Sequence, residues 1–171
     1  MVRLSATARI LIAGQAPGLR VHESGVPFDD RSGDRLREWM GIGRDVFYDA
    51  ARIATLPMGL CFPGYDAAGG DLPPRRECAP RWRAQALALL PRIELILLIG
   101  GYAQHWHLKR RRPMGEAVRD WRAVMAATDP PALALPHPSW RNTGWLKQNP
   151  WFEAEVLPVL RAQVARLSGP G

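Results

Sequence analysis

The feature that most constrains the fold is a continuous aliphatic run, IELILLIG, at Ile93–Gly100. A strand with one face in water alternates apolar and polar residues, whereas an unbroken aliphatic run is typical of a strand covered on both faces. Such strands belong to parallel sheets with helices on both sides. Three further segments have strand patterns, namely Ala8–Ala13, Phe47–Leu56 and Ala132–Leu135. The sequence therefore predicts a short, mostly parallel central sheet.

Segments with the apolar spacing of helices alternate with these strands. The predicted helices are Gly33–Met40, Arg75–Leu90, Tyr102–Leu108, Glu116–Ala127 and Pro150–Leu167. Ser32 or Asp34 is able to cap the first of them. The predicted apolar side of the second consists of Trp82, Leu87, Leu89 and Leu90. Residues 57–74, rich in Gly and Pro, are expected to be irregular. The prediction is a three-layer α/β/α fold formed by one domain over residues 1–171.

Two loops that follow predicted strands carry the most distinctive side chains. GQAPG, Gly14–Gly18, comes after the first strand, and HPSWRN, His137–Asn142, comes after the last. In open α/β sheets, ligands bind beyond the carboxyl ends of the strands. We therefore expect both loops to lie at one edge of the sheet and to form a common site.

Charge and cysteine content narrow the class of protein. The formal net charge of +7 favours a partner rich in phosphate, although an ordinary basic enzyme would also carry it. The run Lys109–Arg112 is either phosphate-facing or the solvated end of a helix. Cys61 and Cys78 are too few for a disulfide scaffold, which is typical of a reduced, cytosolic protein. The apolar runs are too short for a signal peptide or a membrane span.

The two loops resemble the motifs of a known family. GQAPGLRVHESGVPFDDRSGDRL, followed by HPSWRN, is similar to the uracil-DNA glycosylase superfamily, and is most similar to its iron–sulfur and broad-specificity branches. The second family motif corresponds to His137–Ser139, and the first to Gly14, Gln15, Pro17, Gly18, Gly25, Pro27, Phe28, Ser32 and Gly33. The resemblance implies the α/β fold of that family and DNA glycosylase activity.

Three departures from the family pattern qualify what the resemblance implies. The iron–sulfur branch holds its cluster with four cysteines, and only Cys61 and Cys78 stand near two of those positions, so neither a cofactor nor a metal is expected. The first motif has Gln15 and Ala16 at the positions where members carry a group that positions water. Ala51 stands where uracil-specific members carry an Asn that reads the base, which favours a broader range of bases.

The resemblance also implies catalytic roles. Cleavage of the glycosidic bond builds oxocarbenium character on the sugar and negative charge on the base, so it needs an anion and hydrogen-bond donors. His137 would donate to a pyrimidine carbonyl oxygen, and Gln15 would position the water. Asp30 is favoured as the anion and Asp29 is the neighbouring alternative, although a charge at the start of a helix would also suit Asp30. His137 has a structural alternative too, as a hydrogen bonder within its loop.

Larger sets of residues would hold the base and the DNA. Phe28 would stack on an extruded base, or else anchor the core. The residues expected to contact the base are Gly14, Gln15, Ala16, Phe28, Ala51 and His137. Those expected to contact DNA are Pro17, Gly18, Ser139, Trp140, Arg141, Asn142 and Lys147. Trp145, Trp151 and Phe152 are instead expected to pin the loop and the last helix to the core.

The functional prediction is a monofunctional glycosylase that hydrolyses the bond between deoxyribose and uracil or another deaminated base. The base would first be flipped out of the duplex, and the reaction would initiate base excision repair. Neither motif contains a lysine, the residue that would indicate a Schiff-base lyase. The rival prediction is a catalytically weak binder of damaged or single-stranded DNA, and a third is an enzyme acting on small nucleosides. The expected partner is DNA, the expected location is the nucleoid in the cytoplasm, and a monomer is assumed.

Overall fold

A parallel sheet of four short strands forms the centre of the molecule in the computed structural model, which describes residues 1–110 and 112–169. The strands are β1 Ile10–Ala13, β2 Ile53–Thr55, β3 Leu95–Ile99 and β4 Ala132–Leu135, in the order β2-β1-β3-β4. All three neighbouring pairs are parallel, with Leu11 aligned to Ala54 and to Ile96. The carboxyl ends of the strands therefore meet at one edge, as predicted.

Helices connect the strands and cover both faces of the sheet. They are α1 Leu19–Ser24, α2 Arg31–Met40, α3 Arg44–Phe47, α4 Cys78–Ala88, α5 Gly100–His107, α6 Met114–Arg119, α7 Trp121–Ala126, α8 Thr143–Gln148 and α9 Leu157–Ser168. A 3-10 turn at Trp140–Asn142 precedes α8, and a π-helical segment at Phe152–Val156 leads into α9. Among the described residues, no helix is both long and apolar enough to cross a bilayer.

Alternate residues of β1 enter two different cores, because successive side chains of a strand point to opposite faces. Ile10 and Ile12 pack in one core with apolar residues of α2 and α9. Leu11 and Ala13 pack in the other with apolar residues of α4 and α5. The side chains of β1, β3 and β4 are buried throughout, which accounts for their unbroken aliphatic sequences. The three-layer α/β/α prediction is confirmed.

Three element predictions need correction. The predicted strand Phe47–Leu56 is only Ile53–Thr55, because Arg44–Phe47 is helical and a turn follows it. The helix predicted over Glu116–Ala127 is broken at Asp120. The first predicted helix begins at Arg31, and its cap is Asp30 rather than Ser32 or Asp34.

The apolar side predicted for the second helix is wrong in part: Leu90 is buried and Leu87 packs against the core as predicted, but the other two residues do not. Trp82 and Leu89 are exposed, by 44% and 61%. Arg83 is buried instead, with 2% exposure, and donates to the carbonyl oxygens of Leu56 (3.0 Å) and Pro57 (3.3 Å). A buried carbonyl without a partner costs about 1–3 kcal/mol. The hydrogen bonds that Arg83 donates to the segment after β2 therefore determine which side of the helix is buried.

Candidate active site

A pocket of about 1000 Å³ opens at the carboxyl edge of the sheet. Residues that follow each of the four strands contribute to its lining. They include the turn 14–18 after β1, Pro57 after β2, Tyr102 after β3 and His137 after β4. The prediction that the GQAPG and HPSWRN loops share one site at one edge of the sheet is confirmed.

The turn after β1 is held by the segment that follows β2. The carbonyl oxygen of Gly14 accepts from the Met58 N–H at 2.9 Å, and that of Gln15 accepts from the Gly59 N–H at 2.8 Å. A side chain on Gly59 would come within 3.2 Å of the Ala16 Cβ, so the two segments pack tightly. Gln15 and Ala16 are consequently held in place where they line the pocket.

Phe28 lines the pocket in a left-handed backbone conformation, with φ of 57°. This conformation costs a residue with a side chain about 1–2 kcal/mol, so its surroundings must impose it. The Tyr48 hydroxyl donates to the Phe28 carbonyl oxygen at 3.2 Å, and a Cβ on Gly33 would come within 1.8 Å of that oxygen. The ring packs edge-on against Phe47, with centroids 6.1 Å apart. The side chain therefore packs against the core and also lines the pocket, and stacking on a base stays a prediction.

His137 is held by hydrogen bonds at both ends of its residue. Its Nδ1 accepts from the Ser139 backbone N–H at 3.2 Å, and its carbonyl oxygen accepts from the Asn142 side chain at 2.8 Å. Burial lowers the pKa of His137 from its ordinary value of 6.5, while the charges of Asp30 and Asp71 oppose that shift. The imidazole is therefore neutral at pH 7, with its proton on Nε2 because Nδ1 is an acceptor. His137 therefore carries a neutral N–H donor, and the residue lines the pocket.

The two predicted carboxylates differ in their placement. Asp30 lines the pocket, and its Oδ1 also caps α2 by accepting from the Gly33 N–H at 2.8 Å. Asp29 is not among the lining residues that the structure describes, and it pairs with Arg44 at 3.2 Å. The placement of Asp29 in the catalytic group is corrected accordingly, because its carboxylate is turned to a surface arginine.

Ala51 is the second residue that the structure moves out of the site. It is exposed, in the turn before β2, and its N–H donates to Asp49 at 2.9 Å. Because β2 is parallel to β1, residues before it lie at the edge opposite the pocket. Thr55, the last residue of β2, lines the pocket instead. Its polar side chain at the end of a buried strand was the sequence signal that could have identified it.

The HPSWRN loop forms part of the rim. The indole of Trp140 is 76% exposed, and the Arg141 guanidinium lies 5.8 Å from its ring centroid. The Ser139 carbonyl oxygen accepts from Arg35 at 3.1 Å, which ties the loop to α2. Pro17, Gly18 and Asn142 line the same pocket, whereas Lys147 is exposed on α8 outside that lining. DNA contact by these residues stays a prediction.

The later aromatics pack as predicted. Trp145 contacts Trp151 and Phe152 with ring centroids 5.9 and 6.1 Å apart, and Phe152 packs on Trp39 at 5.0 Å. Phe152 is fully buried. The loop and the last helix are therefore pinned to the core by these rings.

A second cavity, of about 600 Å³, lies near the start of β3 and β4 and is lined in part by His107, Lys109 and Arg110. The predicted basic run is therefore away from the pocket, and Arg111 lies outside the described residues. Nε2 of His107 accepts from Nη2 and Nε of the buried Arg83 at 2.6 and 3.1 Å. Burial lowers the pKa of His107 to about 3, with the Arg83 charge adding to the shift, and burial lowers that of Arg83 to about 10.

The thiols do not fit an iron–sulfur cluster. Cys61 and Cys78 are both half-buried and free. In the part of the chain that the structure describes, no group of three or more His, Cys, Asp or Glu residues is arranged to hold a metal ion. Two thiols fall short of the four ligands that such clusters use.

Comparison with known proteins agrees with the fold and the motifs. The family model of the uracil DNA glycosylase superfamily matches residues 2–161. Among solved structures, the chain is similar to a protein of Methanosarcina acetivorans, studied by solution NMR and provisionally assigned as a uracil DNA glycosylase. That similarity has a TM-score of 0.52 at 16% sequence identity, and it covers 95% of this chain and 94% of the other. At this identity the structural match supports the fold.

Proposed function

The chain belongs to the uracil DNA glycosylase superfamily, and we propose that it hydrolyses the N-glycosidic bond of uracil and of other deaminated bases in DNA. The observation that carries the proposal is the shared pocket, in which the Gln15 turn and the neutral His137 meet around the ring of Phe28. DNA glycosylase chemistry is the activity of the family. The choice of base and the residue roles below are our own inferences.

His137 would act on the leaving base. As the C1′–N bond breaks, its electron pair moves onto the base, and a donor placed at a base oxygen stabilises that charge. A neutral N–H suits this role because it needs no proton transfer and persists across the physiological pH range. The Ser139 N–H keeps the acceptor nitrogen of the ring occupied, so Nε2–H is the atom directed to the base.

Phe28 and Thr55 would set the range of bases. An aromatic ring stacks on any flat heterocycle, so stacking on Phe28 would not discriminate between bases. The Thr55 hydroxyl can both donate and accept, which tolerates different base edges. We therefore expect uracil to be accepted without strict selectivity.

The lining supports simple hydrolysis over lyase chemistry. Among the described residues that line the pocket there is no lysine to form a Schiff base, and the amino group of Met1 is engaged in a hydrogen bond to the Leu60 carbonyl oxygen. The product would be an abasic site with an intact phosphate backbone. We further propose that the protein acts as a monomer on DNA in the cytoplasm, since nothing in the pocket described here requires a second chain.

An abasic-site assay tests the proposal. Oligonucleotides carrying uracil, hypoxanthine or xanthine, single-stranded and paired, are incubated with the protein and then cleaved with alkali. We expect alkali-dependent strand breaks at the uracil, at a rate that falls as salt rises because phosphate contacts are screened. Tight binding without breaks on any of these substrates would instead identify a binder of damaged DNA. Hydrolysis of free deoxyuridine at a comparable, salt-independent rate would identify a nucleoside enzyme.

A further inference from the structure

One wall of the pocket is a hairpin that carries none of the recognised motifs. It spans residues 64–72, within the segment between β2 and α4. Tyr65 and Asp71 form an antiparallel bridge, the Leu72 N–H donates to the Gly64 oxygen at 2.9 Å, and the Asp66 N–H donates to the Gly70 oxygen at 2.7 Å. Residues directly opposite each other in such a bridge present their side chains on one face. Tyr65 and Asp71 both line the pocket.

The Asp71 carboxylate reaches the two segments that define the site. Its Oδ2 lies 3.8 Å from the position that a Cβ on Gly18 would occupy, so it contacts the end of the GQAPG turn. Its charge also acts on His137 across the pocket, where it opposes the effect of burial. Asp71 therefore borders the first turn and lines the same pocket as His137.

The carboxylates near the pocket differ in what they already bind. Asp30 caps α2 through the Gly33 N–H, and Asp29 pairs with Arg44. Asp66 accepts from two amides of its own hairpin at 2.8 and 2.9 Å. Asp71 is exposed and takes part in none of the ion pairs found among the described residues. Of Asp30, Asp66 and Asp71, which all line the pocket, it is the one whose carboxylate accepts none of the hydrogen bonds found among the described residues.

We propose that Asp71 is the catalytic carboxylate of this pocket, facing C1′ of the bound nucleotide and holding the attacking water. The inference rests on the proposed glycosylase function. The C1′–N bond breaks and its electron pair leaves with the base, a water oxygen bonds to C1′, and Asp71 accepts the proton that the water loses. The proton then passes to the departing base through solvent, so the products are the free base and an abasic site.

This assignment explains why positions 15 and 16 lack a carboxylate. Gln15 and Ala16 line the pocket but carry no charge. Asp71, in the hairpin, supplies the anion next to the turn that contains them. Asp30 is held in one orientation by its helix cap, because its Oδ1 accepts from the Gly33 N–H. Asp71 carries no such structural duty among the contacts described here.

The test compares isosteric variants under single-turnover conditions on a uracil-containing oligonucleotide. Asp71→Asn should slow abasic-site formation by about 10²–10⁴-fold, the range of general base catalysis. Its Kd for the same oligonucleotide with an uncleavable 2′-fluorodeoxyuridine should stay within a few-fold of wild type. Glu153→Gln, at an exposed residue of the π-helical segment, removes the same charge elsewhere and should leave the rate unchanged.

A chemical-rescue experiment separates catalysis from a structural effect. Asp71→Ala should regain part of its rate when formate is added, because formate restores a carboxylate, whereas a misfolded hairpin would not respond. Asp30→Asn keeps a side-chain oxygen for the Gly33 N–H, so the helix cap persists, and this variant should lose much less rate than Asp71→Asn.

Three results would overturn the inference. An Asp71→Asn rate within threefold of wild type would exclude Asp71 as the water-holding group and leave the glycosylase function intact. A large loss in Asp30→Asn with little loss in Asp71→Asn would assign the role to Asp30. A wild-type protein that forms no abasic site on any deaminated base would overturn the inference and the proposed function together.

Discussion

Two histidines at different places in the fold share one electrostatic property and differ in chemistry. His137, after β4, and His107, at the end of α5, are both kept neutral by burial, which lowers the pKa of each. Nε2 of His107 is occupied by the Arg83 guanidinium. His137 uses Nδ1 for the Ser139 N–H and leaves Nε2 for the pocket. A lowered pKa is therefore shared by both histidines, and the ring nitrogen that each leaves without a partner among the described residues is what distinguishes the role proposed for His137.

The largest expected effect separates the two histidines by activity. His137→Ala should slow uracil release by about 10²–10³-fold, as loss of a donor to a developing charge does in other enzymes. His107→Gln keeps an acceptor for Arg83 and should leave the rate within about threefold. Single-turnover abasic-site formation measures both. Equal losses in the two variants would contradict the distinction.

The second prediction concerns the backbone that holds Phe28. Gly33→Ala places a methyl group 1.8 Å from the Phe28 carbonyl oxygen, so either α2 or Phe28 must move. We expect a loss of about 1–3 kcal/mol in the free energy of unfolding, the usual cost of overpacking, and weaker binding of a uracil-containing oligonucleotide.

Gly144→Ala is the matched control for that change. A Cβ on Gly144 meets no atom within 4 Å, and the residue lies in α8. Replacing a helical glycine with alanine in open space is expected to stabilise by about 0.5–1 kcal/mol. Urea unfolding of both variants measures the difference. A stabilised Gly33→Ala protein would show that the close approach to Phe28 is wrong.

The third prediction is a pH signature that both histidines share. The pKa of His107 is about 3 in the folded protein against an ordinary value of 6.5, so below pH 6.5 the unfolded chain binds a proton that the folded chain excludes. Stability should therefore fall as pH falls, by about 1.4 kcal/mol per pH unit, or about 2 kcal/mol between pH 6.5 and pH 5. His137 contributes in the same direction.

Urea unfolding at pH 7 and at pH 5 measures this signature. His107→Gln and His137→Gln should each reduce the pH dependence, although only the second variant is expected to reduce activity. An unchanged pH dependence in His107→Gln would show that this histidine is not held neutral in the fold.

The smallest expected effect concerns the rim. Trp140→Ala should weaken binding of single-stranded DNA by about 1 kcal/mol, the lower end of values for base stacking, because the ring is mostly exposed. Trp82→Ala is the matched control, since Trp82 is also exposed and has a neighbouring arginine 5.1 Å from its ring centroid. Fluorescence anisotropy should detect a loss only for Trp140→Ala. Equal losses would indicate non-specific contact.

Local patterns in the sequence were sufficient for the layers and for the edge that holds the site. The aliphatic strands and the GQAPG and HPSWRN loops are each contiguous stretches of sequence, so periodicity and topology rules apply to them directly. The sequence leaves Asp29 and Asp30 as neighbouring alternatives, because they are adjacent and both precede α2. The hydrogen bond from the Gly33 N–H shows that Asp30 is the one that caps α2.

The remaining features depend on contacts between distant segments. Arg83 is buried because it donates to the carbonyl oxygens of Leu56 and Pro57. The sequence of α4 alone does not indicate these distant acceptors. Asp71 enters the pocket because a hairpin folds over the first turn, although its sequence, rich in glycine and flanked by prolines, indicates only an irregular segment. Thr55 lines the pocket and Ala51 does not, because β2 begins later than its sequence suggests.

The bond from the Ser139 amide to His137 limits what this protein can discriminate. Under the proposed function, a ring nitrogen that always offers hydrogen would donate to the O2 atom of a pyrimidine, and uracil, thymine and cytosine all carry that atom. Rejection of normal bases would consequently come from the opposite side of the heterocycle, where the exocyclic groups differ. Because the backbone N–H of residue 139 orients the imidazole, most substitutions at this position would keep the hydrogen bond. Proline, which has no backbone N–H, would remove it.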